Sequence, residues 1–381
     1  MKTMNITKDL KLIKKVKNAM KSSELINAVK LLVGMKRPVM ISSAPGIGKS
    51  SLVRQAAKEM NMGIIDLRAA LLDTCDLLGV PNVTNGATRW NPPDYFPFEG
   101  KDNGKGIIFL DELPQATPSV QAALSQAILD HAIGQKKLDP NWTFVAAGNR
   151  MEDRAATHRT PSHINNRLIH LDLDINTDDW IDWAEKNNIA TEIRMFIKFK
   201  PGLLSNFEAD RNARAYATPR SWEFLSQIVM ASRGKGMGFL RPLADGTVGS
   251  GPSAEFCAFL GVWESLPSAE EVFGNPEGFK IPDDKPSVMW ALVGMLSDRI
   301  RNEGVSLQRL TPSNADYKVA LATHNEYLDK YLTIGARFPG EWSMMAIQEG
   351  MTANGLIMAR PNFQTWAKEL NKRGLFNNGG G

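Results

Sequence analysis

The run Ser43-Ala44-Pro45-Gly46-Ile47-Gly48-Lys49-Ser50 limits what this chain can fold into more than any other stretch. An apolar run, 38–42, precedes it, and a helix-compatible run beginning Ser51-Leu52-Val53 follows it. Strand, glycine turn and helix match the phosphate-binding pattern G-x-x-x-x-G-K-[ST] at every specified position except the first, where Ser43 stands in place of Gly. Gly46 and Gly48 let the backbone turn so that its N–H groups point inward at phosphate oxygens. Pro45, Ile47 and Ser51 complete the cradle. A helix starting near Lys49 adds its positive end. Lys49 would reach the β- and γ-phosphates, and the Ser50 hydroxyl would ligate Mg²⁺. Serine adopts most turn geometries except those at positive φ, so Ser43 is compatible with ATP binding. The plain alternative is an ordinary glycine turn before a helix; the Lys-Ser pair and both flanks speak for the loop.

A second run, Gly106-Ile107-Ile108-Phe109-Leu110-Asp111-Glu112, sharpens this reading. Four apolar residues ahead of two acids predict a buried parallel strand whose carboxylates lie at its C-terminal edge. Ligands of open α/β sheets bind at that edge. Asp111 would hold Mg²⁺, through a water, and Glu112 would orient and deprotonate an attacking water. Consecutive strand residues point to opposite sides, so one acid can serve the metal and the other the water.

The rest of the chain supplies the frame. Residues 1–24 form a lysine-rich arm, either a solvated edge element or a basic amphipathic helix. A second strand is expected at 63–67. The long Pro- and Trp-containing connection 68–104 is either a packed surface loop or a mobile insert. A helix is expected at 119–130, by its apolar spacing, then a short hairpin over 131–138 with Gly134 at its turn. The strand 142–147 runs into Gly148-Asn149-Arg150. Asn149 there either bonds the lytic water or γ-phosphate or simply turns the chain. A fifth strand, 168–173, closes the pattern. From about 176 the chain reads as helices, with 233–251 as a glycine- and proline-rich loop, 276–285 as a linker and 377–381 as a disordered tail. His158 and His163 have no metal-site spacing.

Composition bounds the class. A net charge of +4 over 381 residues does not by itself argue for nucleic acid. Cys75 and Cys257 are far apart and in no C-x-x-C pair, which argues against a disulfide scaffold or a cysteine zinc site. No apolar run is long enough to span a bilayer, and no secretory signal begins the chain. These readings lead to the expectation of a cytoplasmic protein without membrane insertion.

The chain resembles the AAA+ ATPases, and within them the MoxR-like branch that includes the dynein-related (AAA_5) proteins. Ala44 to Ser50, Ile108 to Leu113, Gln121-Ala122-Ala123-Leu124, Ala146 to Arg150, Asn166-Arg167-Leu168 and Ala217-Thr218-Pro219-Arg220-Ser221 carry the resemblance. It implies a P-loop NTPase fold: a three-layer αβα sandwich with a five-stranded parallel sheet, then an α-helical lid and a C-terminal helical extension. The domains implied are 25–175, 176–275 and 276–381. It implies a sensor-1 role for Asn149, an arginine finger at Arg167 acting on the neighbouring subunit, and a sensor-2 role for Arg220. Arg150, Arg154 and Arg159 are alternative fingers. It likens 68–104 to the family's helix-2 insert and 131–138 to its pre-sensor-1 hairpin. An ATP- and Mg²⁺-dependent ring, a hexamer, remodelling a protein client with a von Willebrand factor A domain would follow. A DNA-associated motor or helicase loader is the alternative, and a nucleotide-gated scaffold with little turnover a third, against which Glu112 speaks.

Overall fold

The computed structural model describes residues 19–100, 104–150, 161–207, 213–282, 285–310 and 315–372. The basic arm up to residue 18, the tail, Arg154 and Arg159 lie outside the described residues. The chain divides into two compact units, one of residues 1–183 with 205–221, the other of 184–204 with 222–381.

The first unit is built on strands β1 (Val39–Ser43), β2 (Gly63–Arg68), β5 (Gly106–Asp111), β8 (Trp142–Asn149) and β9 (Ile169–Asp172). They form one parallel sheet in the order β2-β5-β8-β1-β9. This bears out the expected αβα sandwich. The strands are continuous apolar runs because both faces of the sheet are covered. Alternation sorts them: Ile107, Phe109, Val145 and Ala147 pack with Leu25, Val29, Val53 and Ala56 of helices α1 (Ser22–Gly34) and α2 (Lys49–Glu59). Ile108, Leu110, Phe144 and Ala146 pack on the other face with Val120, Leu124 and Ala127 of helix α4 (Pro118–Asp130). Thr117 caps α4, its hydroxyl accepting from the Val120 N–H at 3.4 Å. Ahead of α1, the Met20 N–H donates to the Asp172 carbonyl at 2.7 Å.

The connection after β2 divides its residues between core and surface. Helix α3 (Thr74–Leu78) leads into a hairpin of β3 (Val80–Thr84) and β4 (Ala87–Asn91). Asn85 and Gly86 sit at its tip with φ of 52° and 74°, the pairing that a two-residue turn of this hand demands. Val83 is 71% exposed and Trp90 56%, whereas Phe96 is 1% exposed in the core. The hairpin at 131–138 is present as β6 (Ala132–Ile133) and β7 (Lys136–Lys137), with Gly134 at φ 57°. A short helix α5 (Ser162–Asn165) precedes β9, and helix α6 (Thr177–Lys186) follows it.

The second unit is helical. Helix α7 (Thr191–Phe199) places Phe196 against Trp222, Phe256 and Phe259, with ring centroids 5.4 to 5.7 Å apart. Its Arg194 is buried and donates to the Ile189 carbonyl and to Thr191 Oγ1, and it pairs with Glu185 at 3.4 Å. Burial lowers that guanidinium's pKa, the nearby Arg301 lowers it further, and Glu185 and Asp298 oppose both. Helix α8 (Pro219–Ala231) begins in the first unit and ends in the second.

The glycine- and proline-rich stretch expected to be a loop is largely helical instead: α9 (Met237–Val248) and α10 (Ser250–Ser265). Pro242 lies inside α9, and Leu240, Ala244 and Val248 form its buried stripe. Burial of that stripe outweighs the propensity cost of the proline and glycines. Beyond them are α11 (Ala269–Gly274), α12 (Pro286–Gln308), α13 (Ala315–Arg337), α14 (Glu341–Ala353) and α15 (Pro361–Lys372). At the start of the linker expected at 276–285, Arg337 donates to the carbonyls of Pro276 at 2.6 Å and Phe279 at 2.8 Å.

Gly148, one residue before the end of β8, shows how tightly the sheet edge is packed. A Cβ there would collide with the Pro114 ring, which follows the Asp111-Glu112 turn. Gly148→Ala is expected to lower stability by roughly 1–3 kcal/mol by overpacking. Urea unfolding of the two proteins checks this as a drop in midpoint at unchanged slope.

Candidate functional site

Three linkages meet at the C-terminal ends of β1, β5 and β8, all within the first unit. The first belongs to Lys49, the opening residue of α2. Gly48 precedes it at φ 101°, a left-handed conformation that glycine takes without strain. The β1–β8 register sets Ser43 directly beside Asn149. The Lys49 ammonium donates to Asn149 Oδ1 at 2.9 Å and to Ser43 Oγ at 3.0 Å, with the Ala44 and Ser43 carbonyls at 3.3 and 3.4 Å. Lys49 is only 9% exposed, and a charge so buried requires this set of acceptors.

The second linkage joins the loop to β5. Ser50 Oγ donates to Asp111 Oδ2 at 2.6 Å, and Asp111 Oδ1 accepts the Glu112 N–H at 3.0 Å. A hydroxyl and a carboxylate brought together in this way are hard oxygen donors, the kind that Mg²⁺ takes alongside water. The residues present therefore fit that metal. Glu112 itself has φ 59°, unusual for a residue with a Cβ and of the strained kind found at functional sites. It lies past the end of β5 and starts the 3₁₀ turn Leu113–Gln115. The two acids are thus separated by a left-handed turn and not by strand alternation, which corrects the expectation; the Glu112 side chain is exposed.

The third linkage reaches the loop from far along the sequence. The Arg220 N–H donates to the Gly46 carbonyl at 3.3 Å. Gly46 has φ 77°, and a Cβ on it would stand 2.8 Å from the Thr218 hydroxyl oxygen. Thr218 Oγ1 also accepts the Ser221 N–H at 3.1 Å, capping the start of α8. Sequence reading missed this double duty of Thr218. The Thr-Pro pair signalled a helix start, but nothing in the sequence signalled the contact with Gly46.

The remaining residues have varied surroundings. Ile47 is buried, Pro45 half-buried and Ser51 exposed in the first turn of α2. Arg220 is exposed at the start of α8, and Arg167 is exposed on the turn between α5 and β9. Arg150 is engaged within its own chain: it donates to the Leu173 carbonyl at 2.9 Å and pairs with Asp172 at 3.5 Å.

Residues 39–168, which contain β1 to the edge of β9, match the model of the ATPase family associated with various cellular activities (AAA). The likeness to that family is confined to this part of the chain. The chain is also 28% identical over 217 residues to Midasin of Dictyostelium discoideum, an alignment covering 52% of this chain and 4% of that protein. The chain thus spans a small fraction of the length of that relative. Among solved structures, NtrX of Brucella abortus in complex with ADP aligns at 12% identity over 92% of this chain and 68% of that one, with a TM-score of 0.36. The RuvB Holliday junction branch migration motor of Thermotoga maritima aligns at 16% identity over 79% and 78%, with a TM-score of 0.34. Likeness at these scores adds nothing to what the strand order already establishes.

The two loop glycines differ in a testable way. Gly46→Ala meets both a positive φ and the Thr218 side chain, whereas Gly48→Ala meets the positive φ alone, with nothing within 4 Å of the new Cβ. Gly48→Ala is expected to cost about 1–2 kcal/mol, and Gly46→Ala more. Thermal melts of both variants read this as a larger drop in Tm for Gly46→Ala.

Proposed function

We propose that this chain is a Mg²⁺-dependent ATPase of the MoxR-like, dynein-related branch, working as a ring that remodels a protein partner. The observation that carries the ATPase reading is the joining of the loop to the tips of two other strands, Lys49 to Asn149 on β8 and Ser50 to Asp111 on β5. The AAA domain match supports the nucleotide, and the Midasin likeness supports the branch.

Each residue then has a task. The backbone from Gly46 to Lys49 and the start of α2 cradle phosphates. Lys49 sets positive charge at the β- and γ-phosphates. Ser50 and Asp111 would hold Mg²⁺, which would supply positive charge beside the phosphoryl oxygens. Glu112, free of the strand's alternation, orients the attacking water and takes its proton. Asn149 acts as sensor 1 and fixes Lys49. Arg220 serves as sensor 2 at the start of a lid spanning 176–275, with 276–381 as an extension. Arg167, exposed ahead of β9, serves as the finger in the neighbouring subunit's site. Arg150, tied to its own β9, is poorly suited to that task. Catalysis of this kind is mainly positioning and electrostatics.

The assembly proposed is a hexamer in the cytoplasm, and the client a protein with a von Willebrand factor A domain. No described helix is long and apolar enough to cross a membrane.

Glu112→Gln is expected to cut turnover by roughly 10²-fold or more while nucleotide binding persists. Phosphate release beside a binding titration checks this, and equal turnover in the two proteins would sink the ATPase reading. Arg167→Ala is expected to lower the rate by about 10³ or more. Mixing Arg167→Ala with Lys49→Ala subunits should restore part of the activity if the finger acts in trans. Rings that form yet stay inactive at every mixing ratio would remove Arg167 from that role.

A further inference from the structure

Gln121 is a polar side chain on the buried side of α4, which it shares with Leu124 and Ile128. It is 1% exposed, and a primary amide so placed is costly unless it is hydrogen-bonded. Its Nε2 donates to the Ala116 carbonyl at 3.1 Å and, over a longer 3.5 Å, to the Pro114 carbonyl. An amide nitrogen carries two N–H donors, so one group can serve both. Both carbonyls belong to the turn that Glu112 begins. In that turn the Gln115 N–H donates to the Glu112 carbonyl at 2.9 Å, and the Ala116 N–H to the Leu113 carbonyl at 3.2 Å. Glu112 sits at φ 59°, and a residue with a Cβ stays there only where its surroundings over-determine it. On its N-terminal side, Asp111 Oδ1 accepts its N–H at 3.0 Å. On its C-terminal side lies a single turn of 3₁₀ backbone, a helical geometry with poorer hydrogen bonds. Gln121 anchors that turn to α4, whose own start is capped by Thr117.

We propose that Gln121 is a positioning residue that ties the turn after β5 to α4 and so fixes the direction in which Glu112 leaves the strand. The inference rests on the reading of Glu112 as the acid that orients the attacking water. It adds to that reading a side chain that acts through backbone carbonyls. A shift of about 1 Å at a reacting group can cost on the order of 10²-fold in rate. A turn freed from Gln121 would therefore leave the phosphate cradle intact and misplace the acid.

The test compares the full chain with its Gln121→Met variant, which keeps an unbranched side chain and removes both donors. Gln121→Met is expected to lower kcat for phosphate release by about 10- to 10²-fold. The Kd for a fluorescent ADP analogue in Mg²⁺ is expected to stay within about twofold. Amide hydrogen exchange at Gln115 and Ala116 is expected to quicken while the β5 amides keep their protection. In a Glu112→Gln background the same substitution is expected to change the residual turnover by less than about twofold, because no acid is left to aim. A merely structural role would lower turnover by the same factor in both backgrounds, and that result overturns the proposal. So does an unchanged kcat, or unchanged exchange at Gln115 and Ala116. Should Gln121→Met fail to fold, Gln121→Glu decides, since its carboxyl donates only when protonated. Its rate relative to the wild type at the same pH is expected to rise as pH falls from about 8 to about 6, and a flat ratio overturns the proposal. Equal turnover of the wild type and Glu112→Gln fails the ATPase reading by itself, while the exchange measurement still decides whether Gln121 holds the turn.

Discussion

A nearly buried ammonium is the constraint on which the first unit depends. Lys49 is 9% exposed, and an uncompensated charge at such a site would be costly. Its acceptors come from two strands that must therefore be neighbours and in register, with Ser43 and Asn149 side by side. The sheet order that places β8 next to β1 is thus tied to the charge it serves. Apolar burial on both faces makes the sheet, but it does not by itself select which strand tips meet. The Lys49 contacts make this order the one in which the loop's charge is satisfied.

Around that charge the backbone departs from ordinary conformations on both sides. Gly46 and Gly48 lie at positive φ in the loop, and Glu112 lies at φ 59° beyond β5. The glycines accept this without strain because they carry no Cβ. Glu112 has no such freedom, and a residue held there is over-determined by its neighbours. Those neighbours are Asp111, whose carboxylate accepts the Glu112 N–H, and Pro114, which packs against Gly148. The strain is stored where a side chain must leave the strand's alternation. An acid continuing the strand would point into one of the helical layers, where an ionised carboxylate would be desolvated.

The five strands and the lysine–serine and aspartate motifs were legible in the sequence because each rests on local chemistry. Ile107 to Leu110 read as a buried strand, and alternation alone assigns them to two cores. The β3–β4 hairpin was written in Asn85-Gly86, a turn signal that the long polar connection obscured. The helix α9 was hidden for the opposite reason. Its glycines and Pro242 argue locally for a loop, and only tertiary burial of Leu240, Ala244 and Val248 reverses that. The partners of Lys49 and Gly46 were out of reach. Ser43 read as a blemish in a pattern, since its bond to Lys49 appears only once the loop has folded back on the strand. Thr218 lies 172 positions beyond Gly46 (218 − 46), and no periodicity links residues so far apart.

That distant pair also explains why a segment so late in the chain belongs to the first unit. Residues 205–221 are grouped with the sheet and not with the helices that flank them in sequence. Two contacts with Gly46 help hold them there, the Arg220 N–H on its carbonyl and the Thr218 side chain against its Cα. Thr218 at the same time caps α8, and α8 runs on into the second unit. The loop cannot change the position of Gly46 without displacing Thr218 or breaking the cap. The substitution least tolerated at Gly46 is therefore any side chain at all. Even a methyl would push on Thr218, the residue that caps the start of α8.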